Sequence, residues 1–434
     1  MVAVTATDAH RAIDTVWRIE SAKLIAGLVR IVRDVGIAED LAQDALVAAL
    51  ERWPETGIPD NPAAWLMATA KHRAIDLFRR NQRLDRKHQE LGYEIEAQQE
   101  AGAPDLDAAI DDEVGDDLLR LMFMACHPVL STEGRVALTL RLLGGLTTPE
   151  IARAFLVPEP TVAQRIVRAK RTLAEAQVPF EVPRGADMAA RLASVLGVVY
   201  LIFNEGYSAT AGEDWVRPAL CEDALRLGRI LAGLAPDEAE VHGLLALMEI
   251  QASRLRARVG PSGEPVLLLD QDRGRWDQLL IRRGLASLER AETLSGSPQG
   301  PYTLQAGIAA CHARARTAAE TEWNMVVALY DVLVRVTPSP VVELNRAVAV
   351  GMASGPAAGL ELVDRLLAEP SLKNYHLLPS VRGDLLFKLG RFEEARAEFE
   401  RAASLTGNAP ERALLLDRAV TASARGSPPQ SAST

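Results

Sequence analysis

Residues 130–173 constrain this chain most, because two short amphipathic patterns there are separated by a break that contains proline. In the first pattern, Ile151 and Phe155 recur at the spacing of one helix face. Either Thr147 or Thr148 can cap the start of this helix, because a threonine hydroxyl accepts a hydrogen bond from the free amides of the first turn. The segment therefore begins with a short, capped helix.

A second amphipathic helix follows the break. Pro158 and Pro160 end the first helix, since proline cannot continue one. The apolar side of the second pattern is formed by Val162, Ile166, Val167 and Ala169. The polar and basic side is formed by Gln164, Arg165, Arg168 and Arg171. Such a pair is typical of the helix-turn-helix that enters the major groove of DNA, but plain helical packing with a solvated basic face fits the pattern equally well.

The composition favours an all-helical protein. Alanine, leucine and arginine are abundant, aromatic residues make up 5% of the chain, and runs of β-branched residues are short. At 434 residues the chain has room for two to four domains with hydrophobic cores of their own.

The cysteines indicate no cross-linked or metal-bound framework. Cys126, Cys221 and Cys311 lie far apart, and no C-x-x-C pair occurs. We therefore expect buried free thiols in a reducing cytoplasm, and neither a metal nor a cofactor.

No segment reads as a membrane span or a signal peptide. The N-terminus lacks an apolar core, and the longest apolar run, residues 192–203, is too short to cross a bilayer. We predict a soluble cytoplasmic protein with no membrane partner, in which this run forms a buried helix.

The net charge of −10 is unevenly distributed. Residues 90–117 contain eleven acidic residues and no lysine or arginine, whereas residues 71–88 contain seven lysines and arginines. Phosphate binding depends on the local field, so a basic patch on an acidic chain still favours nucleic acid.

Residues 8–88 contain three successive helical patterns. They cover residues 14–33, 37–53 and 63–83, with a proline- and glycine-rich break at residues 54–62. The second pattern leaves its acidic and amide side chains outside, namely Glu39, Asp40, Gln43, Asp44 and Glu51. An acidic helix followed by a basic one suits a module that grips a protein on one face and DNA on another. A three-helix bundle with solvated charges explains the segment as well.

Residues 8–88 and residues 130–173 each contain short sequence motifs, and the order and spacing of these motifs along the chain are informative. The first contains Asp40-Leu41-Ala42-Gln43-Asp44-Ala45-Leu46 and then Ala64-Trp65-Leu66. The second contains Gly145-Leu146-Thr147, Glu150-Ile151-Ala152, Thr161-Val162 and Arg165-x-x-Arg168-Ala169-Lys170. Over about the first 175 residues the chain thus resembles sigma regions two and four of the extracytoplasmic-function sigma factors, in the sigma-70 family.

The resemblance implies roles for particular side chains. The helix that docks on core RNA polymerase would use Asp40, Gln43 and Asp44. The helix that supports promoter melting and reads the minus-ten element would use Trp65, Lys71, His72, Arg73, Asp76, Arg79, Arg80 and Arg83. The helix that faces the minus-thirty-five groove would use Thr161, Gln164, Arg165, Arg168 and Arg171. Glutamine can pair there with adenine, and arginine with guanine or phosphate.

The sequence departs from the family pattern at two positions. His72 stands where the family often has asparagine, and Pro160 stands where many relatives have a small residue. The partners that the resemblance implies are the clamp and flap regions of core RNA polymerase and promoter DNA, at the bacterial nucleoid.

Residues 89–117 separate the two segments as an acidic linker. Their carboxylates, together with Gly102 and Pro104, leave little apolar surface for a core. A flexible solvated tether fits this composition, and so does a segment that threads polymerase near its catalytic cleft.

Beyond a proline-punctuated boundary at residues 179–185, helix follows helix. The predicted helices cover residues 188–203, 219–234, 238–258, 276–294, 302–316, 323–335, 341–352, 357–368, 375–389, 392–405 and 409–424. Long paired helices with short breaks are typical of an α-solenoid. The packing positions of a tetratricopeptide repeat are matched by Gly383, Gly390, Phe392, Ala395, Phe399 and Ala402.

Polar clusters interrupt these helices and resemble the C-terminal extension carried by one subgroup of these sigma factors. Their members are Asn204, Glu205, Tyr207, Asp270, Asp272, Arg273, Asn345 and Arg346. They form either a ligand site or buried hydrogen-bonded helix junctions, and we favour junctions. Glu205, Asp270 and Asp272 could in principle bind a metal or act as an acid pair. No nucleophile–base spacing and no phosphate-binding loop accompanies them in the sequence, so we do not expect an enzyme.

The leading interpretation is an all-α sigma factor in which a C-terminal α-solenoid regulates two small helical sigma domains. The expected division is residues 8–88 for region two, 89–117 for the acidic linker, 118–178 for region four with its helix-turn-helix, 179–426 for the regulatory domain and 427–434 for a disordered tail. Regulation would act through intramolecular contact with the sigma domains or through a received signal. The alternative is a stand-alone helix-turn-helix regulator with a ligand-sensing helical domain.

Overall fold

The structure is a computed structural model that describes residues 6–91, 114–296 and 299–426. Over this part of the chain it consists of α-helices, short 3-10 turns and two strands of two residues each. The chain divides into two compact units, Met1–Val198 and Val199–Thr434. The all-helical fold expected from the composition is confirmed.

Seven helices and the start of an eighth form the first unit. They are α1 (Ala6–Val32), α2 (Val35–Thr56), α3 (Pro62–Leu91), α4 (Val114–Ala125), α5 (Thr132–Leu142), α6 (Thr148–Phe155), α7 (Glu159–Glu175) and α8 (Ala186–Tyr207).

The first three helices pack into the bundle expected for residues 8–88. Helix α1 contacts α2, α3 and α4, and it buries an apolar stripe that includes Leu24 and Leu28. The Asp34 carboxylate accepts a hydrogen bond from the Ile37 amide at 2.9 Å and so caps the start of α2. Helix α2 continues through Pro54 to Thr56, so the break begins later than predicted.

Helices α5, α6 and α7 form a second group, in which α7 packs on both of the others. The buried stripe of α7 consists of Val162, Ile166, Ala169 and Leu173. Val167 was predicted to lie on this stripe, but its side chain is 64% exposed. Residues at intervals of three and four already fill the face, and the next position turns by about 100° away from it.

The predicted acidic linker lies largely outside the described residues. Helix α3 runs to Leu91 and α4 begins at Val114, so both ends of the predicted linker are helical. The rest, residues 92–113, and the predicted tail, residues 427–434, fall outside the described ranges.

Helix α8 crosses the division between the two units. Within the described residues it supplies the one stretch, Asp187–Tyr207, that is long and apolar enough to cross a membrane by length and composition, and 39% of that window is buried. Arg191 donates a hydrogen bond to the Phe123 carbonyl at 2.9 Å, and Ser194 donates one to the Cys126 carbonyl at 2.6 Å. These contacts are those of a helix packed within protein.

The second unit continues from α8 with ten further helices in its described residues. They are α9 (Pro218–Leu234), α10 (Ala239–Ala252), α11 (Gln278–Leu294), α12 (Pro301–Arg314), α13 (Trp323–Val336), α14 (Pro340–Ser354), α15 (Pro356–Leu366), α16 (Leu377–Lys388), α17 (Phe392–Leu405) and α18 (Ala409–Gly426). From α12 onward each helix packs on the next, as in a solenoid.

The predicted tetratricopeptide-like packing is present between α16 and α17. A Cβ atom on Gly383 would lie 2.8 Å from the Phe399 ring, so only glycine permits this approach. Phe399, Ala395 and Ala402 are buried against it. Gly390 has φ +76° in the turn between the two helices, where glycine is favoured.

A contact between distant segments closes the second unit. Strand β1 (Ala211–Gly212) pairs in parallel with β2 (Gly407–Asn408). The buried Asn408 amide donates hydrogen bonds to the carbonyls of Ala209, at 3.0 Å, and Asp214, at 2.8 Å. An open solenoid contacts only its sequence neighbours. This array instead joins residues nearly two hundred positions apart, which no local pattern indicates.

The cysteines are buried and free, as predicted. Burial raises the pKa of the Cys126 thiol to about 11 and that of Cys221 to about 12. These thiols are therefore protonated and unreactive near neutral pH.

Candidate functional site

The start of α6 is fixed by local hydrogen bonds. The Thr147 hydroxyl accepts a hydrogen bond from the Glu150 amide, and the Glu150 carboxylate accepts one from the Thr147 amide at 2.8 Å. This capping box was predicted in part, since either threonine could serve as the cap. Partial burial opposes ionisation of Glu150, but the hydrogen bonds from Thr147 and the charge of Arg18 lower the pKa of its carboxyl.

Leu156 ends α6 in the left-handed conformation, with φ 51°. Its amide bonds back to the carbonyls at the end of α6, and the chain turns sharply there. Helix α7 begins at Glu159, before Val162, the first residue of the predicted apolar side, and has Pro160 in its first turn. Proline is favoured in the first turn, so Pro160 starts this helix rather than interrupting it.

The outer face of α7 carries the residues predicted to read DNA. Gln164, Arg168 and Arg171 are exposed, and Thr161 and Arg165 are half-buried. Arg171 forms an exposed ion pair with Glu175 at 3.3 Å, which solvent weakens. The polar face therefore stays open to a ligand.

Helix α3 carries its polar residues predicted to bind DNA from Lys71 onward. His72, Asp76, Arg79 and Arg80 are exposed, whereas Lys71 and Arg73 are half-buried. Arg83 lies within α3, but its side chain is outside the described part of the structure.

Trp65 opens α3 as a packing residue. Its ring meets that of Trp53 edge to face, with 5.3 Å between centroids, and it is half-buried. The indole is therefore only partly available to a ligand.

The side chains predicted to bind polymerase lie along α2. Asp40 and Asp44 are exposed, and Gln43 is half-buried. Asp44 pairs with Arg73 of α3 at 3.1 Å, so a residue predicted to contact protein touches one predicted to contact DNA.

Glu39 is a residue of α2 that the sequence pattern misplaced. It was predicted to face outward, but it is 3% exposed. Its carboxylate pairs with Arg141 Nε of α5 and Lys170 Nζ of α7, each at 2.6 Å, and it accepts a hydrogen bond from Gln43 at 2.6 Å. We call Glu39, Arg141 and Lys170 the Glu39 triad. Burial opposes ionisation, but Lys170 and Arg141 outweigh it and lower the pKa of the carboxyl.

Two further ion pairs join α1 to later helices of the first unit, α6 and α4. Arg18 of α1 pairs with Glu150 of α6 at 3.2 Å on the surface. Arg30 of α1 pairs with the buried Asp117 of α4 at 3.3 Å. Ion pairs that the sequence spacing could not indicate thus join α1 and α2 to α4, α5, α6 and α7.

The polar clusters of the second unit sit at helix junctions. Glu205 pairs with Arg217 and accepts a hydrogen bond from the Thr210 hydroxyl at 2.9 Å. Asp272 accepts one from the Gly274 amide at 2.9 Å and caps a short turn. Asn204 is half-buried at the end of α8.

The remaining members of these clusters do not form one common group. Arg273 donates hydrogen bonds to the carbonyls of His312 and Ala315, the latter at 2.8 Å. Arg346 pairs with Asp331 at 2.6 Å in a separate contact between α13 and α14. Asp270 and Asn345 are exposed. Within the described ranges, no three histidine, cysteine or acidic side chains are arranged to hold a metal ion.

Family models match three segments of the chain. Residues 20–84 match sigma-70 region 2, and residues 120–173 match sigma-70, region 4. Residues 191–292 match a family of unknown function, DUF6596.

Relatives align with the whole chain or with part of it. An uncharacterized protein of Rhizobium meliloti (strain 1021) is 44% identical over 392 residues, which cover 90% of this chain and 91% of that protein. The ECF RNA polymerase sigma factor SigK of Mycobacterium ulcerans (strain Agy99) is 30% identical over 156 residues, 34% of this chain and 77% of that protein. The probable ECF RNA polymerase sigma factor SigI of Mycobacterium tuberculosis (strain H37Rv) is 26% identical over 175 residues, 40% of this chain and 58% of that protein.

Proposed function

This chain belongs to the ECF sigma factors of the sigma-70 family, and on that premise we propose that it binds core RNA polymerase, directs it to promoter DNA and is regulated by its own C-terminal unit. The observation that carries the DNA-binding part is the outer face of α7. That face exposes Gln164 and Arg168 behind a capped α6 and a tight left-handed turn.

In this proposal α7 lies in the major groove of the minus-thirty-five element. Gln164 offers an amide that fits adenine, and Arg168 fits guanine or phosphate. The buried stripe of α7 fixes the orientation of the helix, so these side chains point together toward the groove.

In the same proposal α3 holds the minus-ten element and α2 holds polymerase. The exposed cations Arg79 and Arg80 supply phosphate contacts, and the bases captured on melting stack or pair along α3. Asp40 and Asp44 provide the acidic contacts to the polymerase clamp. The Asp44–Arg73 ion pair is solvent-exposed, so freeing both residues for their partners requires about 1 kcal/mol or less.

The C-terminal unit is the proposed regulator. It has cores of its own, including the one around Phe399, and its first half matches a family distinct from the sigma regions. A separate helical unit on the same chain can alter the sigma regions without a second protein.

The direct test is run-off transcription with core RNA polymerase. We expect a promoter-dependent transcript with the full chain, and a loss of about tenfold or more with Arg168→Ala, because a charge-assisted contact to DNA is removed. Arg365→Ala, which removes an exposed arginine from α15, is the matched control and should transcribe normally. Tight specific binding to duplex DNA without polymerase, and no transcript with it, would favour the stand-alone regulator instead.

The regulatory part is tested by two truncations. A chain ending at Val198 retains the contacts of Arg191 and Ser194 with the first unit, whereas one ending at Val178 loses them. We expect both to differ from the full chain in promoter-dependent activity. A change seen only with the shorter chain would trace to the lost α8 contacts and would contradict in-chain regulation.

A further inference from the structure

Three arginines and three aromatic rings alternate in the second unit. The order is Trp215, Arg258, Tyr207, Arg254, Trp276 and Arg273, each guanidinium lying over the ring or rings beside it. We call this set the arginine–aromatic ladder. Its members come from α8, from the segment before α9, from the segment after α10 and from the turn before α11.

The distances define a continuous series. The Arg258 guanidinium carbon is 3.9 Å from the Tyr207 ring centroid and 5.2 Å from that of Trp215. The Arg254 carbon is 5.7 Å from the centroids of both Tyr207 and Trp276. Each ring face attracts a cation, so the aromatic groups offset part of the mutual repulsion.

Arg273 completes the ladder as a positioning residue. Its guanidinium carbon is 4.7 Å from the Trp276 centroid. It also donates hydrogen bonds to the carbonyls of His312 and Ala315, so its donors are largely occupied by the protein. Arg273 therefore holds Trp276 in place and contributes charge.

The inner members of the ladder are buried, and the ladder leaves polar atoms without acceptors. Arg254 is 8% exposed and Trp276 is 4% exposed. Among the described residues, no acceptor is bonded to the Nε atoms of Arg254 and Arg258 or to the indole nitrogens of Trp215 and Trp276. Buried donors are normally hydrogen-bonded, and each unsatisfied one is destabilising.

The described carboxylates compensate the charge of the ladder only in part. Burial and the charge of Arg254 lower the pKa of Arg273, and Glu320 opposes this without forming an ion pair with it. Glu205, the nearby acid on α8, is paired with Arg217. The ion pairs between described residues include none made by Arg254, Arg258 or Arg273. Burial lowers the pKa of Arg254, and Tyr207, whose hydroxyl accepts a hydrogen bond from Arg254, opposes this shift. The charge of Arg258 lowers the pKa of Arg254 further, so the arginines repel one another. Buried charges in proteins are usually paired.

We propose that the ladder is a binding site for a small oxyanion, a carboxylate or phosphate group, held chiefly by Arg258 and Arg254. Arg258 is half-buried and makes its contacts with ring faces, so its donors can reach an anion from the solvent side. Arg254 lies one ring further in and supplies the second positive charge. The guanidinium fork matches the two oxygens of a carboxylate or phosphate.

Binding is measured by isothermal titration and tryptophan fluorescence on the full chain. The probes are inorganic phosphate and acetate, at constant ionic strength, with chloride as the reference anion. We expect saturable binding of at least one oxyanion and a change in indole emission, since Trp215 and Trp276 flank the arginines. Comparing phosphate with acetate distinguishes a site for phosphate groups from a site for carboxylates.

Matched variants locate the site. Arg258→Gln should weaken oxyanion binding by about tenfold or more, because it removes a charge-assisted contact. Arg256→Gln, an exposed arginine two positions away, should leave binding within about twofold of the unaltered chain. Arg254→Met, which keeps the length of the side chain, should weaken binding as Arg258→Gln does.

Two results would overturn the proposal. One is the absence of saturable binding by either oxyanion beyond that of chloride. The other is equal weakening by Arg256→Gln and Arg258→Gln, which would assign the response to general surface charge. Neither result bears on the sigma assignment, because the ladder was inferred without it.

Discussion

The Glu39 triad and the arginine–aromatic ladder both bury charge, but the chain neutralises them in different ways. At the triad, one carboxylate with 3% exposure meets two cations at 2.6 Å each. At the ladder, three arginines meet aromatic faces, main-chain carbonyls and hydroxyl groups, and no described carboxylate pairs with them. The triad is electrostatically complete within the protein, whereas the ladder has a surplus of positive charge.

That difference separates a structural role from a binding role. Removing one member of a complete buried pair strands its partner, so such pairs hold elements together. Here the triad joins α2 to α5 and α7, the helices around the two proposed DNA-reading faces. A surplus charge is instead satisfied by an external anion, and this is why we assign the ladder to ligand binding.

The largest expected effect is that of Glu39→Ala. It leaves Arg141 and Lys170 without their carboxylate, so the free energy of unfolding should fall by about 4 kcal/mol. Urea denaturation of the full chain measures the fall, and hydrogen exchange in α2 and α7 assigns it to this unit. Glu51→Ala, which removes an exposed acid from the same helix, should change stability by less than about 0.5 kcal/mol. Equal effects of the two variants would show that the triad is not a stabilising contact.

The sequence correctly predicted the structural features that depend on residues close together along the chain. The capped start of α6, the break after it and the close approach of Gly383 to Phe399 all depend on residues within about twenty positions. Helix periodicity likewise predicted α17, whose observed bounds, Phe392–Leu405, are those expected.

Contacts between residues far apart in the sequence could not be predicted in the same way. Glu39 borders the apolar stripe of α2, and its burial depends on Arg141, which lies 102 positions later in the sequence. In the ladder, Tyr207 and Arg273 were singled out from sequence, but nothing local placed Arg254 between the rings of Tyr207 and Trp276. Helix spacing fixes which face a residue occupies on its own helix, but not which distant helix covers that face.

As the pH falls, the free energy of unfolding should decrease first through His312, which lies near Arg254 and Arg273 of the ladder, and only later through Glu39 of the triad. Burial, with the charges of Arg254 and Arg273, lowers the pKa of His312 to about 4. The unfolded chain takes up this proton near pH 6.5 and the folded chain only near 4, so stability present above pH 6.5 falls by about 3 kcal/mol as the pH drops to 4. The lowered pKa of Glu39 has its effect later: its contribution is full above about pH 4.3 and is lost only below that.

Unfolding measured from pH 7.5 to 4.5 tests this order. His312→Gln should flatten the loss of stability between pH 6.5 and 4.5, whereas His72→Gln, at an exposed position, should leave the curve unchanged. Parallel curves for His312→Gln and the unaltered chain would remove His312 as the source of the loss.

The smallest effect should come from Arg254→Met, and it compares the two regions most directly. Methionine keeps much of the packing against Tyr207 and Trp276 and removes a buried charge that no described carboxylate pairs with. The loss of two cation–π contacts and the relief of desolvation should nearly cancel, so stability should change by about 1 kcal/mol or less. The same substitution at the triad, Arg141→Met, leaves Glu39 with one cation and should lower stability by about 2 kcal/mol. If the two variants lose the same stability in urea denaturation, the ladder is as fully neutralised by the chain as the triad is, and the surplus charge that calls for an anion does not exist.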